Sequence, residues 1–199
     1  ADLVLGWFLP VTLRCVLDLV ILILLTGGLH LDGLADSADG LLSHRGRDEA
    51  MRIMKDTRIG TWGVVALLIV LGLKTAALHE IIWKKDSLFL ILVPTYGRFA
   101  MLLGMAFLPY GRGENGIAHD LYQGRHRRFA LIPGIVLVGL VSLVLLGWPC
   151  LLLINGIFLG YGAAMVLWFY SRMRCITGDM LGALGETSET VVLMVLAVD

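Results

Sequence analysis

The chain has 199 residues, of which 58% are hydrophobic and only 16% charged, and its 16 basic residues balance 16 acidic ones. A water-soluble domain is nearer half apolar and a quarter charged, so the composition excludes an ordinary soluble enzyme and points to an all-α, polytopic integral membrane helical bundle. No basic stretch interleaved with aromatics suggests a nucleic-acid partner.

The first ten residues, ADLVLGWFLP, are apolar but too short to span, and we read them as the end of an N-terminal helix that is incomplete here. Spans are predicted near 13–28, 61–80, 88–107, 129–148, 150–170 and 189–198, about six in all, with the first running on into the segment 26–40. Trp62, Trp83, Trp148 and Trp168 fall at or near span ends, where an amphipathic indole favours the headgroup region. Gly147, Trp148 and Pro149 mark a tight turn, and Gly156, Gly160 and Ala164 form a small-residue stripe suited to close helix packing. Cys15, Cys150 and Cys175 lack CxxC spacing, so neither a disulfide nor a zinc site is expected. The loops 29–60, 108–128 and 171–188 share one side and hold eleven of the sixteen basic residues, which places them in the cytoplasm by the positive-inside rule. The economical reading is one integral membrane catalytic domain over 1–199, in the inner membrane of a bacterial or archaeal cell.

Residues 26–40, TGGLHLDGLADSADG, carry Asp32, Asp36 and Asp39 at the end of an apolar run. At about 100° per residue, a helix through them puts all three carboxylates on one narrow face. Such a face repels itself unless a cation sits in it, so the three aspartates are candidate metal ligands; a solvated acidic helix end is the competing reading. His30 points away from that face on a regular helix, and becomes a metal ligand or proton acceptor if the glycines break the helix there.

The next polar cluster, RIMKDTRIGTWG, sets Arg52, Lys55, Asp56 and Arg58 before a glycine-rich helix start. Three cations beside exposed backbone N–H groups suit a phosphate, although a basic cytoplasmic loop also explains them. Arg98, in PTYGR, lies about 15 Å of helical rise from either span end, a distance that strains snorkelling and favours a polar cavity. Lys74 is expected to snorkel towards the non-cytoplasmic side. In TGDMLGALGETSE, Asp179 and Glu186 project within about 20° of each other on a helix with Gly182 between them, and Glu189 follows; a capped helix start with Thr177 or Asp179 as N-cap is the alternative. The loop YGRGENG offers Arg112 and Asn115 as further contacts, with a simple turn as the competing reading. Carboxylates, arginines and glycine-rich loops on one membrane face together suggest metal-assisted phosphoryl transfer, with Mg2+ bridging carboxylate and phosphate oxygens.

The ordered series GGLHLDGLADSADG, RIMKDTRIGTWG, PTYGR and TGDMLGALGETSE resembles the cobalamin synthase family, the adenosylcobinamide-GDP ribazoletransferases, along nearly the whole chain. The resemblance implies nucleotide-loop assembly in cobalamin biosynthesis. Adenosylcobinamide-GDP is joined to α-ribazole or its 5′-phosphate, with Mg2+, and GMP is released. It further implies that Asp32, Asp36 and Asp39 hold the metal, that Arg52, Lys55, Arg58 and Arg98 neutralise phosphates, and that Asp179, Glu186 and Glu189 complete the substrate site. His30 and Asp56 are the candidate proton acceptors. Its partners would be these small molecules and the lipid bilayer, with room for a homo-oligomer or a complex with other cobalamin-assembly enzymes. A CDP-alcohol phosphotransferase is a neighbouring alternative, but LADSADG after Asp32-Gly33 departs from its DGxxAR pattern. An ion or solute transporter would be expected to show internal symmetry and paired broken helices near the midplane.

Overall fold

The computed structural model describes residues 8–84, 90–111, 128–129 and 131–198. Among them the regular elements are helices: α1 (Val11–Leu25), α2 (Leu29–Leu42), α3 (Arg47–Ile53), α4 (Thr61–Trp83), α5 (Leu92–Phe107), α6 (Leu131–Leu145), α7 (Trp148–Met173) and α8 (Gly178–Val198). Three of these, α4, α7 and α8, are long and apolar enough to cross a membrane, and α1 with α2 would make a fourth if the bent pair is one span. The all-helical membrane character read from composition therefore holds. Arg112 and Asn115 lie outside the described residues.

Two span boundaries differ from the sequence reading. The first span does not run on into the aspartate segment: the chain turns by 87° between α1 and α2. Gly27 and Gly28 sit at φ +60° and +73°, a left-handed conformation that glycine adopts without a Cβ penalty, and two in succession break the helix. At the other end, the predicted loop 171–188 and short span 189–198 are replaced by one helix from Gly178. Arg174, at φ +54°, ends α7, and the Thr177 hydroxyl then accepts the Met180 N–H at 3.2 Å to cap α8. Asp179, Glu186 and Glu189 thus belong to a helix that packs against α2, α4, α5 and α7.

Helix α8 can be central because, apart from Glu186 and Glu189, its inward positions are small or apolar, from Met180, Leu181 and Gly182 through Leu193 and Leu196. A Cβ on Gly33 of α2 would stand 2.7 Å from the Asp179 carbonyl oxygen, and one on Gly182 would stand 3.1 Å from His30 Cα. The two backbones therefore cross almost in contact. The stripe Gly156, Gly160 and Ala164 does not serve this purpose, since a Cβ on either glycine would meet open space and Ala164 is exposed; α7 packs through Ile154, Phe158 and Gly162 instead.

Acidic residues at the heart of an apolar bundle need counter-charges. Lys74 of α4 supplies one, placing Nζ 2.5 Å from Glu186 Oε2 and 2.8 Å from Glu189 Oε2, while Arg98 of α5 lies 3.0 Å from Glu189 Oε1. Lys74 is 2% exposed, Glu186 6% and Glu189 5%, so the expected snorkelling of Lys74 is incorrect. Its ammonium turns inward because two carboxylates in a low-dielectric interior hold a cation more strongly than a distant headgroup does. Removing one partner of such a pair strands the other charge, so Lys74→Met is expected to cost about 3–5 kcal/mol of stability. Adding Glu186→Gln and Glu189→Gln should restore most of it; thermal unfolding in detergent measures both, and a loss below about 1 kcal/mol in Lys74→Met would refute the assignment.

Candidate active site

The left-handed turn at Gly27–Gly28 and the close crossing with α8 hold α2 so that one side is buried through Gly33, Leu34, Ala35, Ser37, Ala38, Gly40 and Leu41. Its aspartates lie on the remaining side, with Asp32 exposed and Asp36 and Asp39 half-buried. All three do fall on one helix, as their spacing predicts. They do not share one role. Asp39 accepts hydrogen bonds from Gly60 N–H at 2.7 Å and Gly63 N–H at 2.8 Å, through opposite carboxylate oxygens.

Asp39 is therefore the N-terminal cap of α4, supplied from another helix, because Gly60 has no side chain of its own to cap with. The glycines are needed: a Cβ on either would come 2.5 Å from an Asp39 oxygen. This corrects two expectations. The Gly60 and Gly63 amides at the α4 start, read as ready for a substrate phosphate, already hold the protein's own carboxylate. Asp39, read as a metal ligand, is committed to those amides.

Among the described residues no three His, Cys, Asp or Glu side chains are grouped to hold a metal ion. A closed three-aspartate cage does not fit this geometry. An open magnesium site does fit it: Mg2+ is commonly held by one or two carboxylates, with water and substrate phosphate completing the octahedron. Asp32 and Asp36, one turn apart on the outward side of α2, have that character.

The basic cluster lies on α3 and the segment after it, against the end of α2. Arg52 donates to Glu49 at 3.0 and 2.7 Å, and Arg58 donates to Asp56 at 3.1 and 2.9 Å. Both pairs are exposed, and such pairs are worth only about 0–1 kcal/mol, so either arginine can exchange its carboxylate for a phosphate at little cost. Lys55 is exposed beside them. Arg58 side-chain and backbone hydrogen bonds hold the Asp56 carboxyl down at about 2, which makes Asp56 a poor proton acceptor near neutrality.

The remaining predicted residues gather deeper. Glu186 and Glu189 face Lys74, with Arg98 beside Glu189, around a cavity of about 60 Å³ that Thr26 and Pro94 also line. Arg98 thus meets the polar cavity expected of it. The two glutamates are compensated within the bundle and are not placed as substrate ligands. His30 brings Nδ1 to 3.9 Å from Glu186 Oε1, and Asp179 packs its backbone on Gly33. Lys74 is the member of this cluster that the sequence reading misses, although charge balance could have found it: two acids within an apolar helix call for basic residues on neighbouring spans.

At the same end, Arg172 Nη2 donates to the Leu41 carbonyl at 2.9 Å, tying the close of α7 to the close of α2. The ends of α2 and α7 therefore meet at the face where α4 and α8 begin.

Comparison with known proteins bears on what this face does. The chain is 41% identical over 181 residues to the adenosylcobinamide-GDP ribazoletransferase of Desulforamulus reducens, covering 91% of this chain and 72% of that protein. It is 39% identical over 194 residues to the protein of the same name from Pseudomonas syringae pv. syringae, covering 94% and 76%. With the Clostridium novyi protein of that name it shares 34% over 191 residues, covering 95% and 75%. No solved structure matches. Residues 1–197 match the family described as cobalamin-5-phosphate synthase, CobS, and the chain belongs to that family.

Proposed function

We propose that this protein is an adenosylcobinamide-GDP ribazoletransferase, the activity named for its relatives. The observation that carries the reading is that α2, which bears Asp32 and Asp36, ends against a basic segment whose Arg52 and Arg58 make exposed ion pairs. In the reaction the ribose hydroxyl oxygen of α-ribazole, or of its 5′-phosphate, forms a bond to the phosphorus attached to cobinamide. The bond from that phosphorus to the bridging oxygen breaks, GMP leaves with the electron pair, and the hydroxyl proton passes to a base.

The chain's residues divide this work. Arg52, Lys55 and Arg58 bind the diphosphate, exchanging Glu49 and Asp56 for phosphate oxygens. Asp32 and Asp36 would hold Mg2+, which supplies charge neutralisation on the diphosphate when bound. Asp39 holds the start of α4, and with it the basic segment, at a set distance from those aspartates. Of the two candidate proton acceptors His30 is the better, since Arg58 holds the Asp56 carboxyl too far down to take a proton near neutrality. We further read α1 and α4 to α8 as six crossings of the inner membrane within one domain, with the aspartates and basic segment at the cytoplasmic face.

Purified protein in nanodiscs, given adenosylcobinamide-GDP, α-ribazole and Mg2+, should release GMP and form cobalamin; no product beside an active relative would sink the reading. Asp32→Asn and Asp36→Asn should each lower turnover about 100-fold or more and weaken Mn2+ binding followed by electron paramagnetic resonance, with helicity unchanged. Undiminished Mn2+ affinity in both would remove the metal assignment. Asp39→Asn can accept from only one of the two amides, so it should lower stability by about 1–3 kcal/mol while leaving Mn2+ affinity within twofold. A tenfold loss of Mn2+ affinity would return Asp39 to the metal.

A further inference from the structure

Two further arginines converge where α2 ends. Arg172, in the last turn of α7, is half-buried and sends Nη2 to the Leu41 carbonyl at 2.9 Å, one of the four that α2 leaves open at its C-terminus. Arg47, the first residue of α3, sends Nη2 to Cys175 Sγ at 3.7 Å, in the linker between α7 and α8. Each side chain crosses to the element that carries the other's neighbours. The linker is itself pinned, since Ile176 N–H donates to the Pro109 carbonyl and Gly111 N–H to the Ile176 carbonyl, both at 2.9 Å. Helix α3 is pinned too: a Cβ on Gly40 would stand 2.9 Å from the Ala50 carbonyl oxygen, one turn after Arg47. These contacts bring both guanidinium groups to one corner, between the end of α2 and the start of α8.

What the corner lacks is a carboxylate. Among the described residues neither Arg47 nor Arg172 makes an ion pair, whereas Arg52 and Arg58 both do. A carbonyl and a thiol are neutral acceptors, so two positive charges stand uncompensated, and a guanidinium with five N–H donors has most of them left for a ligand. The positive-inside rule explains arginines on this side of the membrane, but it is indifferent to where their side chains go. Two guanidinium forks match a phosphate monoester, which carries a charge of about −1.5 to −2 near neutrality. A lipid phosphodiester, with one charge, would neutralise only half of the pair. The corner also lies close to the aspartates, because Leu41 follows Asp36 by about 7.5 Å of helical rise.

We propose that Arg47 and Arg172 form a second anion site, separate from Arg52, Lys55 and Arg58, that holds the 5′-phosphate of the acceptor when the acceptor is α-ribazole 5′-phosphate. The proposal rests on the ribazoletransferase reading and adds to it which residues recognise the phosphorylated acceptor. No bond is made or broken at this corner. It positions the acceptor by its phosphate while the donor's diphosphate is held by the basic segment.

The test measures KM for α-ribazole 5′-phosphate, for α-ribazole and for adenosylcobinamide-GDP with the whole protein in phosphatidylcholine nanodiscs. Arg47→Gln and Arg172→Gln remove the charge and keep an N–H donor for Cys175 or Leu41. Each should raise KM for α-ribazole 5′-phosphate about 10-fold, and the double variant by more, with the other two KM values within twofold of wild type. Inorganic phosphate should compete with the phosphorylated acceptor in wild type and not in the double variant. If the variants change KM for both acceptors alike, or for neither, the anion site is overturned while GMP release from wild type leaves the transferase reading standing. Repeating the series with phosphatidylglycerol in the nanodiscs separates the lipid source. A lost response to that lipid as the only defect of the variants also overturns the site. If wild type forms no product from either acceptor, the transferase reading fails and this proposal with it.

Discussion

The fold depends most on the charges it buries. Two glutamates on α8 lie inside an apolar bundle, and each buried ion loses several kcal/mol of hydration. Lys74 and Arg98, from α4 and α5, return that loss only if the three helices hold one register to within a fraction of an ångström, as the 2.5 to 3.0 Å contacts show. Apolar packing alone would tolerate a slip, because one leucine against lipid or protein is much like another. The ion cluster does not. It sets the depth of α8, and through the Gly33 and Gly182 contacts it sets the depth of α2. The outward aspartates inherit their position from a lysine on another helix.

The second constraint is the Asp39 cap. Without it, α4 would begin with unsatisfied amides, and the segment leading into α4 would be tied to α2 through the packing of α3 on Gly40 alone. With it, the two oxygens of one carboxylate on α2 fix Gly60 and Gly63, so α2 and the segment after α3 move as one piece. The division of labour among the three aspartates follows. Asp39 has a structural role, and on the proposed reading Asp32 and Asp36 serve the metal. An all-protein cage of three would satisfy a magnesium ion before substrate arrived; two leave coordination positions for phosphate, which suits an ion that is bound mainly through its substrate.

Much of this is legible in the sequence, and what is not has physical reasons. Membrane character, the helix carrying Asp32 and Asp36, the turn at Gly147 and the polar surroundings of Arg98 follow from composition, periodicity and the cost of a charge in lipid. The 87° turn at Gly27–Gly28 is harder to see, because apolar periodicity continues through it and glycine is common in membrane helices. The start of α8 reads as a loop because the acids and glycines of TGDMLGALGETSE lower local hydropathy; their partners, Lys74 and Arg98, are more than eighty residues away. The Asp39 contact spans 21 residues and uses backbone donors, which leave no mark on composition.

Exposed and buried charges therefore do different things in this protein. Buried ones are paired with one another, so they hold helices in register and offer little to a ligand. Arg52 and Arg58 are paired in water, where their partners are cheap to lose, and a diphosphate carrying more charge than one carboxylate can displace them. A site built this way is rigid beneath and exchangeable above. Binding energy from the phosphates then goes to assembling the reacting groups over a frame already locked by α4, α5 and α8, rather than to ordering the frame itself.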